Sequence, residues 1–164
     1  MSTTNVTFCK SWFRAKKQAI EAWDVDRARQ AHAAGTLYTV LIGSPQRPTH
    51  FIEVNLRSCG VGFLDENLRE YMSYSFQEAG DGRVFLSMAT HREFEGTSDQ
   101  VISGTNYLFD PIGTTNIQKK ILHPHCSIEN ASAQIDVSGN YEQFPIFGAY
   151  DALLKRERFP VQSV

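Results

Sequence analysis

No run of about 18 apolar residues, the length a membrane-crossing helix needs, occurs in the 164-residue sequence. The opening stretch MSTTNVTFCKSWFRAKK also lacks an apolar signal-peptide core, so the expected location is the cytoplasm, with no membrane partner. Cysteine is scarce. Cys9, Cys59 and Cys126 cannot all pair and form no CxxC, which reads as reduced thiols. An excess of either charge is lacking too: 16 Lys and Arg against 18 Asp and Glu leave a formal charge of −2. That balance excludes a basic nucleic-acid binder and an acidic tail. Three catalytic signatures are missing as well. There is no GxSxG, no GxxxxGK followed by Ser or Thr, and Gly60-Val61-Gly62 lacks the third glycine of a dinucleotide loop.

What is present suffices for a self-standing core. A chain of this length buries about 70% of its unfolded surface, so neither disulfides nor a structural metal is required. No internal repeat and no linker interrupts the sequence, and a single domain over residues 1–164 is expected. Ser11 and Gly35 bracket WFRAKKQAIEAWDVDRARQAHAA, in which Trp12, Ala15, Ala19 and Trp23 recur at helical spacing. This predicts a long N-terminal amphipathic helix, with a bend or a second short helix starting near Asp24 or Asp26. After Gly35 the period falls to 2. Strands are predicted over 37–42, 49–56, 69–77, 83–94, 100–109, 115–122 and 131–137, with turns at GSPQRP, AGDG, EGTSD and DPIG. In 83–94, Val84, Leu86, Met88 and Phe94 are assigned to the buried face and the odd positions to solvent. GAYDALLKRER predicts a short C-terminal helix. The expected class is α+β: a meander-like antiparallel sheet of six to eight strands, with the long N-terminal and short C-terminal helices packed on it.

The near-neutral charge is a cancellation. Residues 1–48 hold seven basic and three acidic side chains, whereas 49–110 hold four basic and ten acidic ones. An acidic middle segment suits a docking face for a basic partner, and the expected partner-binding residues are Asp65, Glu66, Glu70, Glu93, Glu95 and Asp99. His91, Glu93 and Glu95 share one side of a predicted strand and form the alternative, an acid–base cluster. Tyr74, Phe76 and Tyr107 could line a small-ligand pocket in a curved sheet. The HPHC run, His123 to Cys126, offers three candidate ligands but no second pair, so no metal or other cofactor is expected. Tyr141, Phe144, Phe147, Tyr150 and Phe159 are read as packing of the last segment onto the sheet edge.

Two stretches carry a resemblance. HREFEGTSDQVISGTNYLFDPIGTTNIQK places an acidic and aromatic strand, a turn, a strand with GTxYxF, a second turn and a charged strand in order. SGNYEQFPIFGAYDALLKRERF runs from Asn-Tyr-Glu through Phe-Pro to Phe-Gly-x-Tyr and a short helix. Both resemble a family of small bacterial proteins encoded beside polymorphic and type VI-secreted toxins. The resemblance implies an immunity protein, one that binds a cognate toxin domain and blocks its active site, and it brings no catalytic motif. Against the family pattern, the turn DPIG carries an extra proline. Homodimerisation is left open.

Overall fold

Residues 4–156 and 158 are described by a computed structural model. They form one sheet of eleven antiparallel strands. In chain order these are β1 (Val6–Phe13), β2 (Gln18–Trp23), β3 (Tyr38–Gly43), β4 (Pro48–Val54), β5 (Cys59–Leu64), β6 (Glu70–Gly80), β7 (Arg83–Phe94), β8 (Val101–Phe109), β9 (Thr114–Ile121), β10 (Ser127–Gln134) and β11 (Tyr141–Gln143). One helix, α1 (Val25–Ala34), lies between β2 and β3. From β3 to β10 each strand pairs with the next, β1 lies between β3 and β2, and the short β11 pairs with β7.

The expected count of six to eight strands with a long N-terminal helix is therefore wrong. Residues 12–23 extend β1 and then form β2, and only the second short helix is realised, starting at Val25. Its N-cap is Asp24, whose side chain accepts the Arg27 N–H at 2.8 Å. Gly35 ends it in the left-handed conformation at φ 70°. The Ala-Lys-Lys-Gln-Ala stretch favours helix by propensity, but Phe8, Cys9 and Trp12 have buried sites on the sheet, and burial overrides propensity. The expected C-terminal helix is a single 3₁₀ turn, Asp151–Leu154.

On one face, Tyr38, Val40, Ile52, Phe63, Phe76 and Leu86 are fully buried under α1 and the segment after β10. That segment crosses the face of the sheet rather than its edge. Phe147 stacks on Phe8 at 5.2 Å, Tyr141 packs on Phe85 at 4.9 Å, and the Tyr150 hydroxyl lies 2.9 Å from that of Tyr38. Tyr38 is in turn 2.8 Å from Nδ1 of His32, so a polar thread ties helix, sheet and C-terminal segment together. Phe159 lies outside the described residues.

A second, smaller core fills the opposite face, where β1 leaves β3 after Cys9 and the β1–β2 hairpin arches back over the sheet. Trp12 stacks on Phe51 at 6.4 Å. The Phe51 ring lies flat across Gly62, where a Cβ would stand 2.1 Å from the ring, so only glycine fits.

The alternation predicted for 83–94 fails at Phe85, which is buried along with Val84 and Leu86 and packs on Tyr141, and it slips again further on. Ser75 faces Met88 while Phe76 faces Leu86, so the strand bulges at Ser87. Ala89 is buried in place of Met88, which is exposed.

Candidate functional site

The sheet's antiparallel order carries the turns 65–69 and 95–100 to the same end, next to 44–47 and 122–126. Hydrogen bonds lace these turns together. Asp65 organises the first, its Oδ1 accepting the N–H groups of Asn67 and Arg69, each at 2.9 Å, and its Oδ2 accepting Arg69 Nε at 2.8 Å. Burial pushes this carboxyl up, but the N–H donors and the adjacent guanidinium outweigh it and hold the group below the usual carboxylate range. Arg69 then donates to the carbonyls of Gly96 and Ser98 at 2.8 Å in the second turn, its guanidinium 4.7 Å from the Phe94 ring. Arg47 donates to the Glu66 carbonyl at 2.6 Å, and Gln100 and His123 meet at 2.8 Å.

The arching hairpin reaches the same end. Arg14 bonds Glu53 at 3.1 Å and Glu70 at 2.9 Å, and Lys17 bonds Asp99 at 2.7 Å. Between hairpin and sheet lies a cleft of about 580 Å³, lined by Phe51, Phe94, Arg92 and these ion pairs. Among the described residues Arg92 makes a single 3.4 Å bond, from Nη1 to the Glu70 carbonyl. Glu53 and Glu70 share Arg14 and Asp99 takes Lys17; with Arg69 and Arg92 the lining sets four cations against three carboxylates, so the cleft itself is not acidic.

All six expected partner-binding residues thus fall at or near one end of the sheet, though they are not equivalent. Asp65, Glu70 and Asp99 are ion-paired within the chain. Glu66, Glu93 and Glu95 are exposed and make no ion pair among the described residues. Glu93 accepts only the Ser103 hydroxyl at 3.0 Å. The cations of this end, Arg14, Lys17, Arg47 and Arg69, are the residues that sequence reasoning missed. The excess of basic residues in 1–48 was the available signal, since part of that excess closes on the acidic middle segment.

The other candidates are dispersed. His91 and Glu93 share a face, but the register shifts between Glu93 and Phe94, so Glu95 belongs to the turn. The His91 ring packs 6.5 Å from Tyr71. Tyr74 and Phe76 are buried in the main core, and Tyr107, stacked on Phe109, packs partly buried against it. His125 and Cys126 lie exposed in the turn after β9, and among the described residues no three potential metal ligands converge. No helix is long and apolar enough to cross a membrane.

No family model matches the chain, and no curated protein or solved structure matches it either.

Proposed function

We propose that the chain is an immunity protein, which binds a cognate secreted bacterial toxin of the polymorphic or type VI-secreted kind and neutralises it by covering its active site. The observation that carries this reading is the convergence of Glu66, Glu93 and Glu95, exposed and making no ion pair among the described residues, on one end of a sheet whose turns are cross-linked by Arg47 and Arg69. A preorganised acidic end fits a toxin whose cleft is basic because it handles nucleic acid or nucleotides. Charge pairing would speed encounter and reject wrong partners. The resemblance supports the same reading. Residues 91–120 supply β8, most of β9 and the acidic end of β7, and the described part of 138–159 supplies β11 and the segment that covers the core face.

The test is co-expression with the toxic C-terminal domain encoded by the neighbouring reading frame. The expected result is rescue of growth and a purified one-to-one complex that excludes substrate from the toxin. Rescue without a complex, or loss of rescue in His91→Ala with binding intact, would overturn occlusion in favour of an enzymatic route through His91, Glu93 and Glu95.

A further inference from the structure

The last strand of the sheet is open to solvent. All eight residues of β10 are exposed, and its register with β9 runs unbroken from Ser127 opposite Ile121 to Gln134 opposite Thr114. Ile135 continues the register and donates its N–H to the Gly113 carbonyl at 2.9 Å. Backbone groups alternate along a strand. The odd-numbered residues of β10 therefore turn toward β9. Ile128, Asn130, Ser132 and Gln134 turn their N–H and C=O groups outward, where no partner takes them among the described residues.

The opposite edge is closed by ordinary means. In β2, Glu21 takes φ 53° and interrupts the ladder, its carboxylate held by Arg27 at 2.8 Å. β10 has no proline, no lysine and no bulge, the devices that keep edges apart. Its only charge is Glu129, with Lys119 opposite on β9.

We propose that β10 pairs antiparallel with β10 of a second copy, about a two-fold axis through Ala131, so that two sheets become one. In this register Asn130 faces the partner's Ser132 and Ile128 faces the partner's Gln134, and their outward backbone groups are satisfied reciprocally. Ala131 faces the partner's Ala131, and Glu129 faces the partner's Ala133. A register centred on Glu129 would set two carboxylates face to face, which cross-strand repulsion disfavours. The small side chains at Ala131, Ser132 and Ala133 let the strands meet without obstruction. This inference does not depend on toxin binding.

The purified chain is tested alone by sedimentation equilibrium and amide exchange over a concentration series. The mass is expected to rise from 18.5 kDa toward twice that value. Protection at Ile128, Asn130, Ser132 and Gln134 should rise with concentration, while Glu129, Ala131 and Ala133 stay protected throughout. Ser132→Pro removes an outward N–H and spares the β9 ladder. Ala131→Lys sets like charges against each other across the axis. Each should weaken dimerisation at least tenfold, and high salt should partly restore only the lysine variant. A constant mass of 18.5 kDa, a dimer that both variants leave intact, or uniform protection along β10 would overturn the proposal. A monomer whose even-numbered amides become protected only in the toxin complex would assign the edge to that partner instead.

Discussion

From β1 to β7 the sheet is covered on one face by α1 and the C-terminal segment and partly on the other by the arching hairpin, whereas β9 and β10 extend past both covers. The covered half holds nearly every buried side chain. In β10 none of the eight residues is buried. The two parts share one hydrogen-bonding ladder, so backbone pairing does not distinguish them. Apolar burial does, and it assigns stability to the covered half while leaving the β9–β10 wing exposed.

Paired substitutions break this comparison most strongly. Phe63→Ala opens a cavity in the main core and is expected to destabilise by about 3–5 kcal/mol in urea unfolding. Ile128→Ala, in β10, should change stability by less than about 0.5 kcal/mol. Similar losses at both positions would mean that the wing is part of the cooperative core.

Acid sharpens the comparison next. His50 lies beside Phe63 at 4.9 Å, and burial, with the nearby Arg156 charge, lowers its pKa from 6.5 to about 4. The unfolded chain binds this proton below pH 6.5 and the folded chain does not, so the stability present above that value is lost as pH falls toward 4. The expected loss is about 2–3 kcal/mol. It should shrink in His50→Phe, as urea midpoints at pH 7 and pH 5 would show. His32 is also pulled down by burial and adds to the slope in the same direction.

A smaller effect is expected from Tyr150→Phe, which removes one hydroxyl from the Tyr38 thread while leaving His32 in place. A loss of about 1 kcal/mol should appear in thermal unfolding. Exchange should quicken around 141–154 and not in β8–β10.

Legibility in the sequence followed the same division. Strands with one clean alternation, such as Met72, Tyr74 and Phe76 against Ser73, Ser75 and Gln77, were readable because period 2 admits one face assignment. Cys59 to Leu64 is not among the strands predicted from the sequence. Gly62 is there so that Phe51 can lie across it, a reason that exists only once β4 and β5 are paired. The N-terminal error has a similar origin. Trp12 and Trp23 fit a helical spacing, but Trp12 is buried against Phe51, about forty residues away, and no local pattern encodes that. The acidic residues were legible as composition. Their division into ion-paired Asp65, Glu70 and Asp99 and unpaired Glu66, Glu93 and Glu95 required the fold, because Arg14 and Lys17 reach the last two of the paired set through the hairpin.

The central claim is that the acidic end of the sheet is the surface presented to a toxin. Amide exchange of the chain with and without the toxic C-terminal domain tests it most directly. The expected result is added protection at 65–70 and 93–99, with 141–154 unchanged, and an association rate that falls about tenfold when Glu66, Glu93 and Glu95 are all changed to lysine. Protection confined to the covered face, with an association rate indifferent to these three substitutions, would contradict it.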